Sequence, residues 1–422
     1  MSASLIKYLW IDHVEDLNDY QLNGYHPIHI GDRLNDRYQI VHKLGHGSYS
    51  TVWLAVDEKT TKYVAVKVCT SDADHIEIDV LSQMTQTPVN CSAWDKHELL
   101  ITPLLDHFEI SGPNGIHECL VTIPARCCLR NAKDAAESNI FPIDVARSLA
   151  AQLTIALSHV HARGYAHGDL NLENVLLQLP SSLDDLTVEQ LYARYGEPVK
   201  EPVVCSDLDS KTASGDPSVP SYGVIPVWFK SPEDGIALDE AKLLLSDFGV
   251  AFRPDDKSQF EAYTRLELRP PEAFFEPETP LTLASDIWSL GCLIFELLAK
   301  RTLLCSVSPS QDTVTLDQVE LQGQMPPTWW MKWEARSEWY DEEGRPLSTE
   351  SHRFSWERRF EEWVQKPRQK SGMGTLAEDE LDALSTLLQS MLSWNSSERP
   401  DISEVLMSDW MTKWALPVYH NL

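Results

Sequence analysis

His167-Gly168-Asp169-Leu170-Asn171-Leu172-Glu173-Asn174-Val175-Leu176-Leu177 is the densest run of reactive polar residues in this chain of 422, and it leads into an apolar strand. An aspartate and an asparagine five residues apart on a loop can divide two tasks. Asp169 can accept a hydroxyl proton, and Asn174 can offer its amide oxygen to a hard cation. The plainer reading is an Asx-turn loop with no chemistry. Immediately upstream, Val145, Leu149, Leu153, Ala156, Leu157 and Val160 recur at helical spacing over residues 143–162, and Gly164 is placed as the stop. His159, His161 and His167 make a poor zinc set, because the first two do not share a helix face.

Working outward, residues 243–249 read Leu-Leu-Leu-Ser-Asp-Phe-Gly, a strand running into a turn that leaves Asp247 placed to hold Mg²⁺. Arg269-Pro270-Pro271-Glu272, Ser285-Asp286-Ile287-Trp288-Ser289-Leu290-Gly291 and Glu398-Arg399-Pro400 follow. Glu272 and Arg399 have the charges to pair, although an exposed pair adds little stability. Toward the N-terminus, residues 38–44, 51–56 and 63–69 are short branched and aromatic runs that predict an antiparallel meander. Gly45 and Gly47 lie between the first two, where the lack of a Cβ lets backbone approach phosphate oxygens. A dinucleotide-binding turn is excluded, since a strand follows and not a helix. Lys67 sits in the third strand. Glu77 shares a face with Val80, Leu81 and Met84 on a helix expected over 73–84, so the two are the obvious ion pair. Strands are also expected over 101–108 and 118–123, and helices over 285–300 and 376–392.

The order of these elements resembles the eukaryotic protein kinase superfamily over about residues 38–410. Within it the chain is most similar to the SR-protein kinase family, in its short fungal-type members. The supporting residues are Gly24-Tyr25-His26-Pro27, Ile30-Gly31-Asp32, residues 45–55, Tyr195-Gly196-Glu197-Pro198 and residues 329–336. The resemblance implies an α+β, two-lobed protein kinase fold, with a small β-rich N-lobe carrying one main helix and a larger, mostly helical C-lobe. Residues 1–37 would be an N-terminal extension, 38–125 the N-lobe and 126–422 the C-lobe, with insertions at about 179–240 and 305–374. It implies ATP and Mg²⁺ as cofactors. Gly45, Gly47, Val52, Ala65, Lys67 and Thr122 would bind the nucleotide, with Lys67 on the α- and β-phosphates, Glu77 fixing Lys67, and Thr122 as gatekeeper. Asp169 would be the catalytic base, and Asn174 and Asp247 the metal ligands. Family members phosphorylate serines of basic, Arg-Ser-rich proteins.

Three positions depart from the superfamily pattern. Ser50 replaces the third glycine of the hairpin, a change the SR-kinase family shares. Gly168 stands where an arginine ordinarily answers a phosphate on the activation segment, which predicts activity without that switch. Asn171 stands where a lysine ordinarily neutralises the transferring phosphoryl group, a loss worth several kcal/mol of transition-state stabilisation by order of magnitude. Two alternatives therefore stay open. One is a pseudokinase that binds nucleotide and acts as a scaffold. The other is a small-molecule phosphotransferase of the aminoglycoside-kinase type, which lacks the P-P-E, D-I-W-S-L-G and E-R-P series present here.

Composition narrows the setting. The balance of 35 Lys and Arg against 64 Asp and Glu gives a net charge of −29. Such a field repels phosphate backbones, so direct nucleic-acid binding is not expected, whereas a basic protein partner is attracted. No apolar run approaches a membrane span; the best, residues 287–299, is short and carries Glu296. The N-terminus carries no secretory pattern, and the eight cysteines form no CxxC framework. An intracellular, cytoplasmic or nuclear protein with reduced thiols is expected. Residues 179–240 show no sustained period and read as a partly disordered insertion. The tryptophans at 329, 330, 333, 339, 356 and 363 read as packing for a second one. Oligomeric state leaves no signature.

Overall fold

Alternating branched residues in the first third and helical stripes in the remainder produce different architectures in the two parts. The computed structural model describes residues 8–86, 100–136, 138–180, 182–206, 216–229, 235–256, 258–304, 309–347 and 355–421. The elements used below are, in chain order, β1 (Tyr38–Gly47), β2 (Ser50–Asp57), β3 (Lys62–Cys69), α1 (Ile76–Gln86), β4 (Asp106–Gly112), β5 (Gly115–Thr122), α2 (Ile143–His161), β6 (Val175–Gln178), α3 (Val188–Tyr195), β7 (Lys200–Pro202), β8 (Tyr222–Val224), β9 (Leu243–Leu245), α4 (Ala284–Leu298) and α5 (Glu378–Met391). Two compact units result. One is built from residues 1–87, 102–127 and 178–231, and the other from 88–101, 128–177 and 232–422.

The first unit is an antiparallel sheet in the order β1-β2-β3-β5-β4, edged by the short strand Arg33–Leu34. Alternation decides its faces. Trp53, Ala55, Val64, Val66, Val68, Cys119 and Val121 join Ile28, Ile40 and Tyr38 in one buried core. Two register shifts in β1, at Ile40/His42 and Lys43/Gly45, twist the hairpin that ends in the glycine turn. One expected strand is displaced: instead of 101–108, the strand runs Asp106–Gly112, and Ile101 makes only an isolated bridge to Leu245. Pro103 has no N–H to give a ladder there.

The insertion differs most from expectation. Residues 181, 207–215 and 230–234 of it lie outside the described residues, but the rest contains α3, with a complete capping box between Thr187 and Gln190, and the β7–β8 ribbon. Residues 178–231 also belong to the first unit, not to the helical part. Leu183, Leu191 and Phe229 pack against Val41, Leu54 and Tyr63 of the sheet, and the Tyr192 hydroxyl donates to the Val41 carbonyl at 2.7 Å. Residues 1–37 are likewise structured where described: Tyr8, Val14, Leu17, Tyr20 and Tyr25 form a core with Val203 and Val219.

The second unit is built on α2 and α4, both buried along nearly their whole length, with α5 beside them. Gly164 ends α2 with a φ of +77°. The strands β6 and β9 pair antiparallel, Val175 opposite Leu245. Gln152 of α2 donates to the Ala241 carbonyl at 2.6 Å and accepts from the Leu243 N–H at 3.0 Å, which fixes the strand that delivers Asp247. Trp329 and Trp333 are buried with Phe275, Met325 and Tyr340, so the tryptophan-rich stretch is packing, as expected. Parts of it, residues 305–308 and 348–354, lie outside the described residues, as does Cys305; Cys91 does too. Among the described residues the six cysteines are free thiols, and no helix is long and apolar enough to cross a membrane.

Candidate active site

In the first unit, strand register puts the expected nucleotide residues on one face. Val52 is opposite Lys67, Ala65 is opposite Thr122, and Gly45 is opposite Val52. Directly opposed residues share a face, as do residues two apart on a strand. Val52, Ala65, Lys67 and Thr122 therefore share the side of the sheet that turns away from the Trp53 core. Lys67 donates to Glu77 Oε2 at 2.6 Å, and both side chains are largely buried. The expected pair is formed. Its lysine is held by α1.

The second unit assembles the loop. His167 is fully buried, and its Nε2 lies 3.0 Å from the Ser246 carbonyl while its Nδ1 accepts from the Asp169 N–H at 3.3 Å. The ring is therefore the Nε2–H tautomer and locks the loop to the segment before Asp247. Asn174 donates through Nδ2 to the Asp169 carboxylate and to its carbonyl, each at 2.9 Å, which leaves the amide oxygen as its remaining polar atom. The Asn174 carbonyl accepts from the Ser246 N–H and hydroxyl, both at 2.9 Å, so Asn174 and Asp247 leave the same end of the β6–β9 ladder. Asp247 takes a φ of +63°, a left-handed conformation that L side chains rarely adopt.

Burial pushes the Asp169 carboxyl above its ordinary value, and the nearby Asp247 charge adds to this against the hydrogen bonds from Asn171 and Asn174. A carboxyl tuned upward is a better proton acceptor. Beneath it, fully buried Asp286 accepts from the N–H groups of His167 at 2.7 Å and Gly168 at 3.0 Å, and from His161 Nε2 at 2.9 Å. Burial alone would raise its pKa, but the His161 hydrogen bond and charge, with His167 and Gly168, hold it below the usual carboxylate range.

Two of the three departures, Gly168 and Asn171, acquire physical reasons. Gly168 has a φ of +80°, and a Cβ there would sit 2.8 Å from the Val250 carbonyl oxygen. The backbone path excludes an arginine at this position. Asn171 is a loop-forming residue: Oδ1 accepts from the N–H groups of Glu173 at 2.8 Å and Asn174 at 3.2 Å, and Nδ2 donates to the Asp169 carbonyl at 3.2 Å. On the solvent side Glu173 forms an exposed ion pair with Arg265. Glu272 and Arg399 do pair, through two hydrogen bonds at 2.7 and 2.6 Å, but the pair is buried under Trp288 and not exposed as expected. His161 and His167 are both engaged, and no group of metal-holding His, Cys, Asp and Glu forms among the described residues. Sequence reasoning missed Asp286 as the anchor of the loop, although its place in a helical D-I-W-S-L-G run was visible.

The protein kinase domain family model matches residues 38–183 and 234–411, skipping the stretch that contains α3 and the β7–β8 ribbon. The chain is 26% identical over 422 residues to the serine/threonine-protein kinase SRPK of Physarum polycephalum, covering 94% of this chain and 91% of that protein. It is 34% identical over 166 residues to SRSF protein kinase 3 of Homo sapiens, covering 39% of this chain and 29% of that protein. A crystal structure of a kinase domain superposes with a TM-score of 0.59 at 19% identity, covering 92% of this chain and 98% of that one.

Proposed function

The chain belongs to the protein kinase domain family and is an ATP-dependent serine/threonine kinase, and we propose that its substrates are basic, Arg-Ser-rich proteins. The observation that carries the reaction is the Asp169 carboxyl, half-buried, raised in pKa and held by Asn174. In this reading Asp169 takes the proton of a substrate serine or threonine as its oxygen attacks the γ-phosphorus. The bond to the β-phosphate oxygen breaks, and ADP leaves. Lys67, paired with Glu77, holds the α- and β-phosphates. The hairpin of Gly45 and Gly47 covers them, and Val52, Ala65 and Thr122 line the adenine. The amide oxygen of Asn174 and the carboxylate of Asp247 are hard donors that would hold Mg²⁺. When bound, Mg²⁺ neutralises charge on the phosphates.

The substrate class is supported by the net charge of −29, which draws basic partners, and by the names of the similar kinases. A nucleotide-binding scaffold is the second reading, favoured by Asn171, whose amide is engaged within the loop and brings no positive charge.

The substrate reading is tested by γ-phosphate transfer from Mg·ATP to an Arg-Ser repeat peptide, a Lys-Ser repeat peptide and a generic basic protein. The Arg-Ser peptide should have the highest kcat/KM. Its KM should rise several-fold between about 50 and about 200 mM salt as screening shortens the reach of the acidic field. Preferential transfer to the generic protein would keep the kinase and remove the substrate class.

A further inference from the structure

The roles assigned so far leave out a tyrosine that touches the glycine hairpin from outside. Tyr25 is 4% exposed, and its hydroxyl lies 2.7 Å from the Gly47 carbonyl and 3.2 Å from that of Ser48, donating to both. Gly47 is opposite Ser50 across the hairpin, so Ser48 and Tyr49 are its two-residue tip. The next carbonyl is also held, since the Thr70 N–H donates to Tyr49 at 2.8 Å. Three successive carbonyls, from Gly47 to Tyr49, are thus fixed by residues outside the hairpin.

The tyrosine is itself anchored. Asn114, 1% exposed in the turn between β4 and β5, donates to the carbonyls of Tyr25 at 2.7 Å and Ser218 at 2.8 Å, and its own carbonyl accepts from the Asn23 N–H at 2.8 Å. One buried amide therefore ties the N-terminal segment to the insertion. Gly24 permits the tight approach: a Cβ there would fall 1.8 Å from the Asp19 carbonyl oxygen. At the root of the same hairpin, Glu15 forms a buried ion pair with Lys43, and the Tyr20 hydroxyl donates to Glu15 at 2.5 Å. Root and tip are gripped by one segment.

A tip flanked by Gly45 and Gly47 has large conformational freedom, and fixing it before a ligand arrives removes that entropy from binding. We propose that Tyr25 is a positioning residue for the phosphate-covering turn, holding its carbonyls through the hydroxyl so that the turn is preset for the nucleotide. The inference rests on the reading of this hairpin as nucleotide-binding.

The test is Tyr25→Phe, which removes only the hydroxyl, beside Tyr222→Phe, which removes a hydroxyl that reaches Ile30 and not the hairpin. The loss of one partly buried hydrogen bond corresponds to about a fivefold effect. The KM for Mg·ATP should rise about fivefold with kcat within about twofold, and amide hydrogen exchange over residues 45–50 of the nucleotide-free protein should quicken by a similar factor. Tyr222→Phe should change neither. Unchanged KM and exchange in a cooperatively folded Tyr25→Phe would overturn the proposal, and so would faster exchange with an unchanged KM. If Tyr25→Phe does not fold, Asn114→Leu, which frees the Tyr25 carbonyl, carries the same expectation. Should the unmodified protein bind no ATP, the nucleotide reading falls and with it the purpose of the turn, whereas the exchange rates still report whether Tyr25 holds it.

Discussion

Asp169 must be ionised to accept a proton, and burial with the neighbouring Asp247 charge raises its pKa above the ordinary 3.8. The sign follows directly: lowering the pH protonates the base and removes activity, and the loss sets in at a higher pH than for a solvated carboxylate. The kcat/KM profile, which reports the free enzyme, should therefore show an acid limb above 3.8. A limb at or below that value would mean the base is solvated or is another group. The candidates Lys67, Glu77, Asp169, Asn174 and Asp247 were legible because each sits inside a local pattern that states its surroundings. Asn171 and Tyr25 were not. A sequence shows that a lysine is absent at 171, but not that the amide replacing it closes the loop through Glu173 and Asn174. The Tyr25 hydroxyl meets a carbonyl 22 residues away, and nothing in the spacing announces it.

At the scale of elements, the meander β1–β3 and the long helices were readable, because period-two and period-3.6 patterns survive without tertiary context. The insertion was misread for want of length. Its helix α3 spans only eight residues, too few to display a period, although Thr187-x-x-Gln190 is a capping box that marks its start. The segment is part of the fold of the first unit, so Leu191→Ala, at a fully buried site against Val41, Leu54 and Tyr63, should destabilise that unit by about 2–4 kcal/mol. Denaturant unfolding reads this, with exposed Val199→Ala expected within about 0.5 kcal/mol of the parent. A Leu191→Ala as stable as Val199→Ala would show that the insertion is merely attached.

For the whole molecule, the chain passes three times through each unit, and each unit carries its own share of the candidate residues. The first holds the glycine hairpin and the Lys67–Glu77 pair; the second holds Asp169, Asn174 and Asp247. Membership of residues 178–231 in the first unit could not be read from the sequence, since it depends on the Leu54 and Tyr63 surface that receives them. The buried Glu272–Arg399 pair was legible as a pair but not as a buried one, because Trp288 that covers it lies 111 positions from Arg399 in sequence and only 5.0 Å from its guanidinium in space. The account stands or falls on Asp169 as the base of an active kinase. The measurement is steady-state γ-phosphate transfer from Mg·ATP to an Arg-Ser repeat peptide by the unmodified protein and by Asp169→Ala, with ATP binding followed in both. The account requires turnover by the unmodified protein, a loss of about 10²–10⁴-fold in the variant, and ATP binding retained by both. Equal rates in the two proteins, or ATP bound without transfer by the unmodified one, would contradict it.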